Sequence, residues 1–301
     1  MNLIDSYTEE NPQLVWFKNG VYNIEQDLFE HNSKYYLKQH HNYNLPITVN
    51  DKKSMSLGEL EMKCQTILKR LELLVGDASD YFITLLGYGF MHTYKPWNVM
   101  TFLFDRYPPT GKSFFISTII HEMFGYDGFQ CVNMKDMRRN NKELMAMSGC
   151  EMNVLAEFGG LKLTENVVNT LKNIVTGNYV KYGYKHVKHL NIYSKILTSS
   201  TNSIHNMGVI SNLLNNDELT SHIVVIPTTG DYPRNGEFRS IYTENALKAE
   251  IPYFSLYCMK TFNKYLQNDA FKDFKPDDEN NPLITSEMIK TRNYLLNFNK
   301  G

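Results

Sequence analysis

The stretch from Val99 to Phe124 constrains this chain more than any other. Residues 99–104 (VMTFLF) form a continuous apolar run of strand length. One residue later comes Arg106-Tyr107-Pro108-Pro109-Thr110-Gly111-Lys112-Ser113, and from Phe114 to Phe124 most positions are apolar until Gly125. The reading is strand, loop, helix. Such a loop presents backbone N–H groups at a helix N-terminus, where the helix dipole favours an anion. Gly111 permits close approach of backbone to phosphate. Lys112 would reach β- and γ-phosphates, and Ser113 would ligate Mg²⁺. The expected nucleotide-binding set is Pro109, Thr110, Gly111, Lys112, Ser113 and Phe114.

The pattern G-x-x-x-x-G-K-[ST] is met except at its first position, where Arg106 replaces glycine. Gly-Lys-Ser/Thr alone arises by chance in about one chain in six of this length. The weight therefore rests on its place between a buried-type strand and an apolar helix. Read without that setting, the segment is a Pro-Pro-Thr-Gly turn with an exposed lysine.

Further short apolar runs follow at 152–158 (MNVLAEF), 193–200 (YSKILTSS) and 222–227 (HIVVIP). Strands alternating with helices imply a largely parallel sheet covered on both faces. Glu157, near the end of the first run, suits an acid that activates an attacking water. Ala156 stands before it, where many such sites carry a second acid. Asn202, following Thr201 at the tip of the next strand, suits a sensor of the γ-phosphate. Alone, Glu157 reads as a charge at a strand end and Asn202 as a turn residue; in order after Lys112 they form a set.

Between them, residues 164–175 read as a helix with Thr164 as N-cap. Residues 176–191 (TGNYVKYGYKHVKHLN) then read as a hairpin with Gly177 and Gly183 at turns. Tyrosines interleave there with Lys181, Lys185, His186, Lys188 and His189. Basic groups and aromatics on a protruding hairpin suit the backbone and bases of single-stranded DNA. On composition alone, a solvated basic hairpin is the plainer reading.

Around this core, residues 14–49 alternate aromatic and polar residues about an Asn19-Gly20 turn and predict short strands. Helices are expected over roughly 57–76 and 80–92, the second ending near Gly87 or Gly89. The tail from 246 reads as helices split by a charged, proline-containing loop at 272–282. The expected division is an N-terminal region (1–92), an ATPase core (93–245) and a C-terminal helical segment (246–301).

Net charge is −1 and the pI near 6.8, so no overall basic field advertises nucleic acid. DNA contact would need a local cluster or a ring of copies. Cys64, Cys131, Cys150 and Cys258 are scattered and suggest neither a disulfide framework nor a zinc site. The opening residues are polar and acidic, unlike a signal peptide. No apolar run approaches the roughly 20 residues that span a bilayer. The expectation is no membrane association and a cytoplasmic setting, in a bacterial host or at a viral replication site.

Taken together, residues 106–113 (RYPPTGKS), 153–158 (NVLAEF), 169–186 (NTLKNIVTGNYVKYGYKH) and 195–202 (KILTSSTN) resemble the superfamily 3 helicases. The branch they resemble is the helicase part of the phage, plasmid and poxvirus-type primase-helicases. Residues 16–37 and 281–299 resemble the segments that precede and follow the motor there, so the likeness runs along nearly the whole chain. It implies an α/β, AAA+-type P-loop fold with a parallel central sheet, a small mostly helical N-terminal region and a short helical tail. It also implies ATP with Mg²⁺, a homo-hexameric ring around single-stranded DNA, and a role in replicating a phage, plasmid or other mobile element. By position, Lys112, Glu157 and Asn202 match the catalytic residues and Ser113 the metal residue. Lys172 matches the lysine of the extra motif, and Lys185-His186 fall near the DNA-contacting tip.

Three departures accompany the likeness. Arg106 replaces the first glycine. Asn178 stands where the branch usually has Asp. His222 stands where the arginine finger would fall, with Arg234 and Arg239 as the candidates to substitute. No primase segment precedes residue 14, which implies a stand-alone motor or one cut from a longer protein, working with a separate primase or other replication proteins. The alternatives are a nucleotide-gated DNA-binding ring or loader with weak hydrolysis and, less favoured, a P-loop small-molecule kinase, for which Arg138-Arg139 offer thin support.

Overall fold

Apolar periodicity and local caps account for most elements. The structure, a computed structural model, describes residues 11–30, 41–47, 54–106, 110–132, 141–155, 163–182, 188–230 and 243–300. Strands β1 (Leu14–Phe17), β2 (Gly20–Asn23) and β3 (Leu28–Glu30) form an antiparallel meander. The turn between β1 and β2 is Lys18-Asn19, and Gly20 opens β2 rather than lying in the turn. A side chain on Gly20 would run into the Glu30 carbonyl across the sheet. The Asn19 amide instead bonds both the carbonyl and the N–H of Leu45.

The helix expected over 57–76 is two helices. Ser56 and Glu59 make a reciprocal capping box that starts α1 (Leu57–Lys63). Cys64, with φ −124°, breaks the path before α2 (Gln65–Val75), which ends at Gly76. Next comes α3 (Ser79–Gly89), whose Gly87 lies against the backbone of a long C-terminal helix.

The core then runs β4 (Met100–Asp105) and a helical rod, α4, in three pieces: Lys112–Phe114, a π-type stretch Phe115–Ile120 and His121–Gly128. Gly125 breaks its geometry at φ +71° without ending it, so the expected stop is a kink. After β5 (Phe129–Val132) come α5 (Asn141–Ser148), β6 (Met152–Leu155), α6 (Glu165–Val175) and the hairpin β7 (Val180–Tyr182) and β8 (Lys188–Leu190). Next are β9 (Lys195–Thr201), α7 (Ile204–Leu214) and β10 (Ile223–Pro227). The chain closes with α8 (Glu244–Gln267) and α9 (Ser286–Leu296), capped by Thr243 and Thr285. Sequence periodicity had not marked β5, α5 or α7, which are short or lack a clean apolar stripe.

Five strands form one parallel sheet in the order β10-β4-β9-β6-β5. Helices surround it and the C-terminal end is helical: an α/β fold of the P-loop NTPase type. A buried apolar cluster runs from Val15 to Leu295 and draws on all three segments. Among the described residues, no helix is long and apolar enough to cross a membrane.

At the amino ends of the strands a polar cluster is buried. Glu151 Oε1 lies 3.3 Å from His41 Nε2 and 3.3 Å from His92 Nε2. Burial alone would raise the Glu151 carboxyl, but the two histidines outweigh it and hold it down at about 2. Lys195 Nζ donates to the carbonyls of Met91 and Tyr193 and lies over the rings of Tyr88 and Tyr94. Burial pulls this ammonium well below the usual lysine range, against the attraction of Glu151. The cluster fastens the N-terminal strands to the sheet, since His41 also bonds Trp16 and Met123.

Candidate functional site

β4 is the first core strand in sequence, and the chain leaves it toward β5 on one side. From the neighbouring β9 it crosses to β10 on the other side, so the strand order reverses between β4 and β9. A crevice opens outside the carboxyl ends of strands at such a switch point. Asp105 ends β4 there, the loop follows, and Gly111 turns the chain into α4 through φ +76°. That backbone conformation favours glycine. Arg106 is not among the non-glycine residues with positive φ, so the described backbone does not itself require glycine at the loop's first position.

Lys112, the first residue of α4, is 5% exposed. Its Nζ donates to the Ser200 carbonyl on β9 at 2.7 Å and lies 3.1 Å from Asp105 Oδ2. The other oxygen, Asp105 Oδ1, accepts from Thr110 Oγ1 at 2.6 Å and from Thr228 Oγ1 at 3.1 Å. Three strand ends thus converge on one carboxylate and one ammonium. Ser113 and Phe114 follow Lys112, with the Ser113 residue exposed to solvent.

The rest of the rim is tied to the same loop. Asn202, just past β9, donates from Nδ2 to the Arg106 carbonyl at 2.8 Å. The Arg106 guanidinium turns away to α9, where it meets Glu287 at 3.2 Å and donates to Thr291. Two cavities flank Arg106. One of about 360 Å³ is lined by Gly76, Asp77, Thr228, Thr229 and Glu287; the other, of about 440 Å³, by Phe104, Asn202, Met207 and Tyr294. Both volumes lie in the range that holds a small ligand.

A separate groove of about 710 Å³ lies along α6 and β7. Amide and hydroxyl groups line it (Asn166, Asn169, Thr170, Asn173 and Tyr179), with Lys172, Lys181 and the carboxylate of Glu218. Tyr179 is 58% exposed and its ring lies near that of His189. The apolar side of α6 (Val167, Leu171, Ile174, Val175) is buried, so this polar side faces outward. Lys172, matched by the resemblance to an extra-motif lysine, pairs with Glu218 at 2.8 Å. Lys188 lies in β8, opposite Tyr182.

Several expected site residues lie outside the described residues: Pro109, Glu157, Lys185, His186, Arg234 and Arg239. The structure therefore brings together Thr110, Gly111, Lys112 and Asn202 and places Lys181 on the hairpin. His222 precedes β10, at the opposite ends of the strands from Lys112, and its Nδ1–H donates to the Asn98 carbonyl at 3.0 Å. Nearby, Arg292 donates to Thr220 and faces Asp277, so it is committed within its own chain. Sequence reading missed Asp105, Thr228 and Ser200. The one signal for them was a carboxylate closing an otherwise apolar strand.

Among the described residues no group of three or more His, Cys, Asp or Glu side chains is placed to hold a metal. A Mg²⁺ fits this site only as an ion carried by phosphate oxygens, with Ser113 as a protein oxygen available to it. That is the usual mode for this cation, which keeps waters and phosphates as ligands.

No family model matches the chain, and no curated protein matches it. Among solved structures, it is similar to two titled as the A form apo structure of the NrS-1 C-terminal region. For the first the identity is 14% and the TM-score 0.45, covering 66% of this chain and 47% of that one. For the second, labelled 305–718, the values are 15% and 0.43, covering 64% and 44%. The chain thus spans less than half the length of those chains.

Proposed function

We propose that this protein is an ATP-dependent motor that works as a ring of identical subunits on single-stranded DNA, in the replication of a phage, plasmid or other mobile element. The observation that carries the reading is Lys112, held at the N-terminus of α4 in the switch-point crevice, with Asn202 tied to the loop beside it. ATP supplies the phosphoanhydride bond, and Mg²⁺ offsets its charge when bound. Lys112 and the Thr110-Gly111 backbone bind and orient the phosphates, Ser113 offers its hydroxyl to the ion, and Glu157 takes the proton of the attacking water. Asn202 links the state of the γ-phosphate to the loop. The α6–β7 groove, with Tyr179 and Lys181, supports contact with DNA: stacking on aromatics and pairing with phosphates are both tolerant of sequence. A ring would gather such hairpins into a basic channel without a basic chain.

The test is turnover. ATP hydrolysis should rise with single-stranded DNA and vanish in Lys112→Ala, checked for folding. Full activity in that variant would sink the reading.

A second reading, a nucleotide-gated DNA-binding ring with negligible hydrolysis, is favoured by His222. The residue at the arginine-finger position is a histidine whose ring is bonded to its own chain. ATP-dependent assembly and DNA binding without phosphate release would select it.

A further inference from the structure

Lys112 does not stand alone in the loop. Its ammonium is matched by the Asp105 carboxylate at 3.1 Å, and both side chains are nearly buried, at 5% and 7% exposure. Asp105 is the more firmly anchored of the two. It sits on the rigid end of β4, and Thr110 and Thr228 both donate to its second oxygen. Lys112 reaches it through four flexible methylenes. A phosphate that draws on Lys112 must therefore share or take the ammonium from Asp105, while the carboxylate stays under the loop.

Like charges a few ångströms apart repel strongly where water is scarce. A bare triphosphate approaching this cradle meets a lysine already neutralised and a fixed negative charge behind it. A triphosphate carrying a divalent cation arrives with much of its own charge cancelled. We propose that Asp105 is the resident counter-anion of the phosphate loop. It holds Lys112 until a phosphate takes over the ammonium, and it makes the site select the metal-complexed nucleotide over the metal-free one. Asp105 is thus a positioning and specificity residue, and the proposal rests on the reading of this loop as a nucleotide site.

The experiment measures the affinity of a fluorescent methylanthraniloyl-ATP, with Mg²⁺ and with EDTA, for wild type, Asp105→Asn and Asp105→Ser. The serine keeps a hydrogen-bonding group for Thr110 and Thr228. Wild type should bind the metal-free analogue about tenfold or more weakly than the Mg²⁺ form, and both variants should narrow that ratio about fivefold by tightening metal-free binding. A folded variant with an unchanged ratio, or with weaker binding of both forms, overturns the proposal, because Asp105 would then only shape the loop. Binding by wild type with no effect of the variants defeats the counter-anion alone. Absence of binding by all three defeats the nucleotide reading and the proposal with it.

Labelling with an amine-reactive reagent, read by peptide mass spectrometry, needs neither nucleotide nor variant. Lys112 should react about tenfold or more slowly than Lys69, which is 62% exposed. Equal rates would show that Asp105 does not hold it, and would overturn the proposal.

Discussion

The side-chain amide of Asn202 donates to the backbone carbonyl of Arg106 at 2.8 Å, joining the tip of β9 to the residue that opens the loop between β4 and α4. Any shift of Asn202 toward a bound phosphate would pull on that carbonyl. Asn202→Ala should therefore lower ATP turnover about tenfold or more while nucleotide affinity changes less than about threefold, the mark of an interaction that matters most in the transition state. Steady-state kinetics beside equilibrium binding separate the two. Equal losses in both would reduce Asn202 to a structural tie.

Lys112 and Asp105 form a buried pair, and breaking such a pair from one side leaves a charge without compensation. Lys112→Met should cost about 3–5 kcal/mol of stability in urea unfolding, in addition to its loss of nucleotide binding. Lys112→Met combined with Asp105→Asn should recover part of that cost. Strict additivity in this double-mutant cycle would mean that the two side chains are not coupled.

Arg106→Gly restores the glycine of the common P-loop pattern but removes the contacts with Glu287 and Thr291. The Arg106 and Glu287 side chains are 35% and 47% exposed, so solvent screens the pair and its loss should cost only about 0–1 kcal/mol. Thermal melting checks this. A drop of several kcal/mol would assign α9 a larger part in holding the loop.

The Glu151 carboxyl, ordinarily near 4.5, is held at about 2 in the folded chain. A folded-state value below the unfolded one contributes stability that is present above pH 4.5 and is lost as pH falls from there through about 2. The size is on the order of 3 kcal/mol. Glu151→Gln should blunt the acid sensitivity of the urea midpoint between pH 5 and pH 3. An unchanged acid profile would show that Glu151 does not drive it.

Gly87 lets α3 and α8 touch: a methyl group there would lie 2.1 Å from the Cys258 carbonyl oxygen. Backbone cannot yield as a side chain does, so Gly87→Ala should destabilise by about 1–3 kcal/mol or more. Denaturant unfolding measures it, and a neutral result would mean that the two helices separate freely.

Much of this was legible in the residues themselves. The run at 99–104, the loop and the following helix form a strand-loop-helix unit because apolar spacing, Gly111 and a helix N-terminus act over a few residues. The hairpin is local in the same way. Caps were less legible: Thr164, the N-cap expected from the sequence, makes no side-chain cap bond, whereas Thr243 and Thr285, which periodicity had not marked, do. Lys112 and Asn202 could be named because both positions follow strand ends in order.

What the tertiary structure decided is which groups meet. Lys112 and the Ser200 carbonyl are 88 residues apart, Thr228 and Asp105 are 123, and Arg106 and Glu287 are 181. No local pattern encodes those distances. The first two arise because β4 pairs in parallel with both β9 and β10, in registers set by burying apolar side chains across the whole sheet, and the third because α9 packs against β10. The sequence by itself determined that a lysine would follow the loop after β4, a short way from the carboxylate that ends the strand; packing of the strands decided that Ser200 and Thr228 would close on that pair.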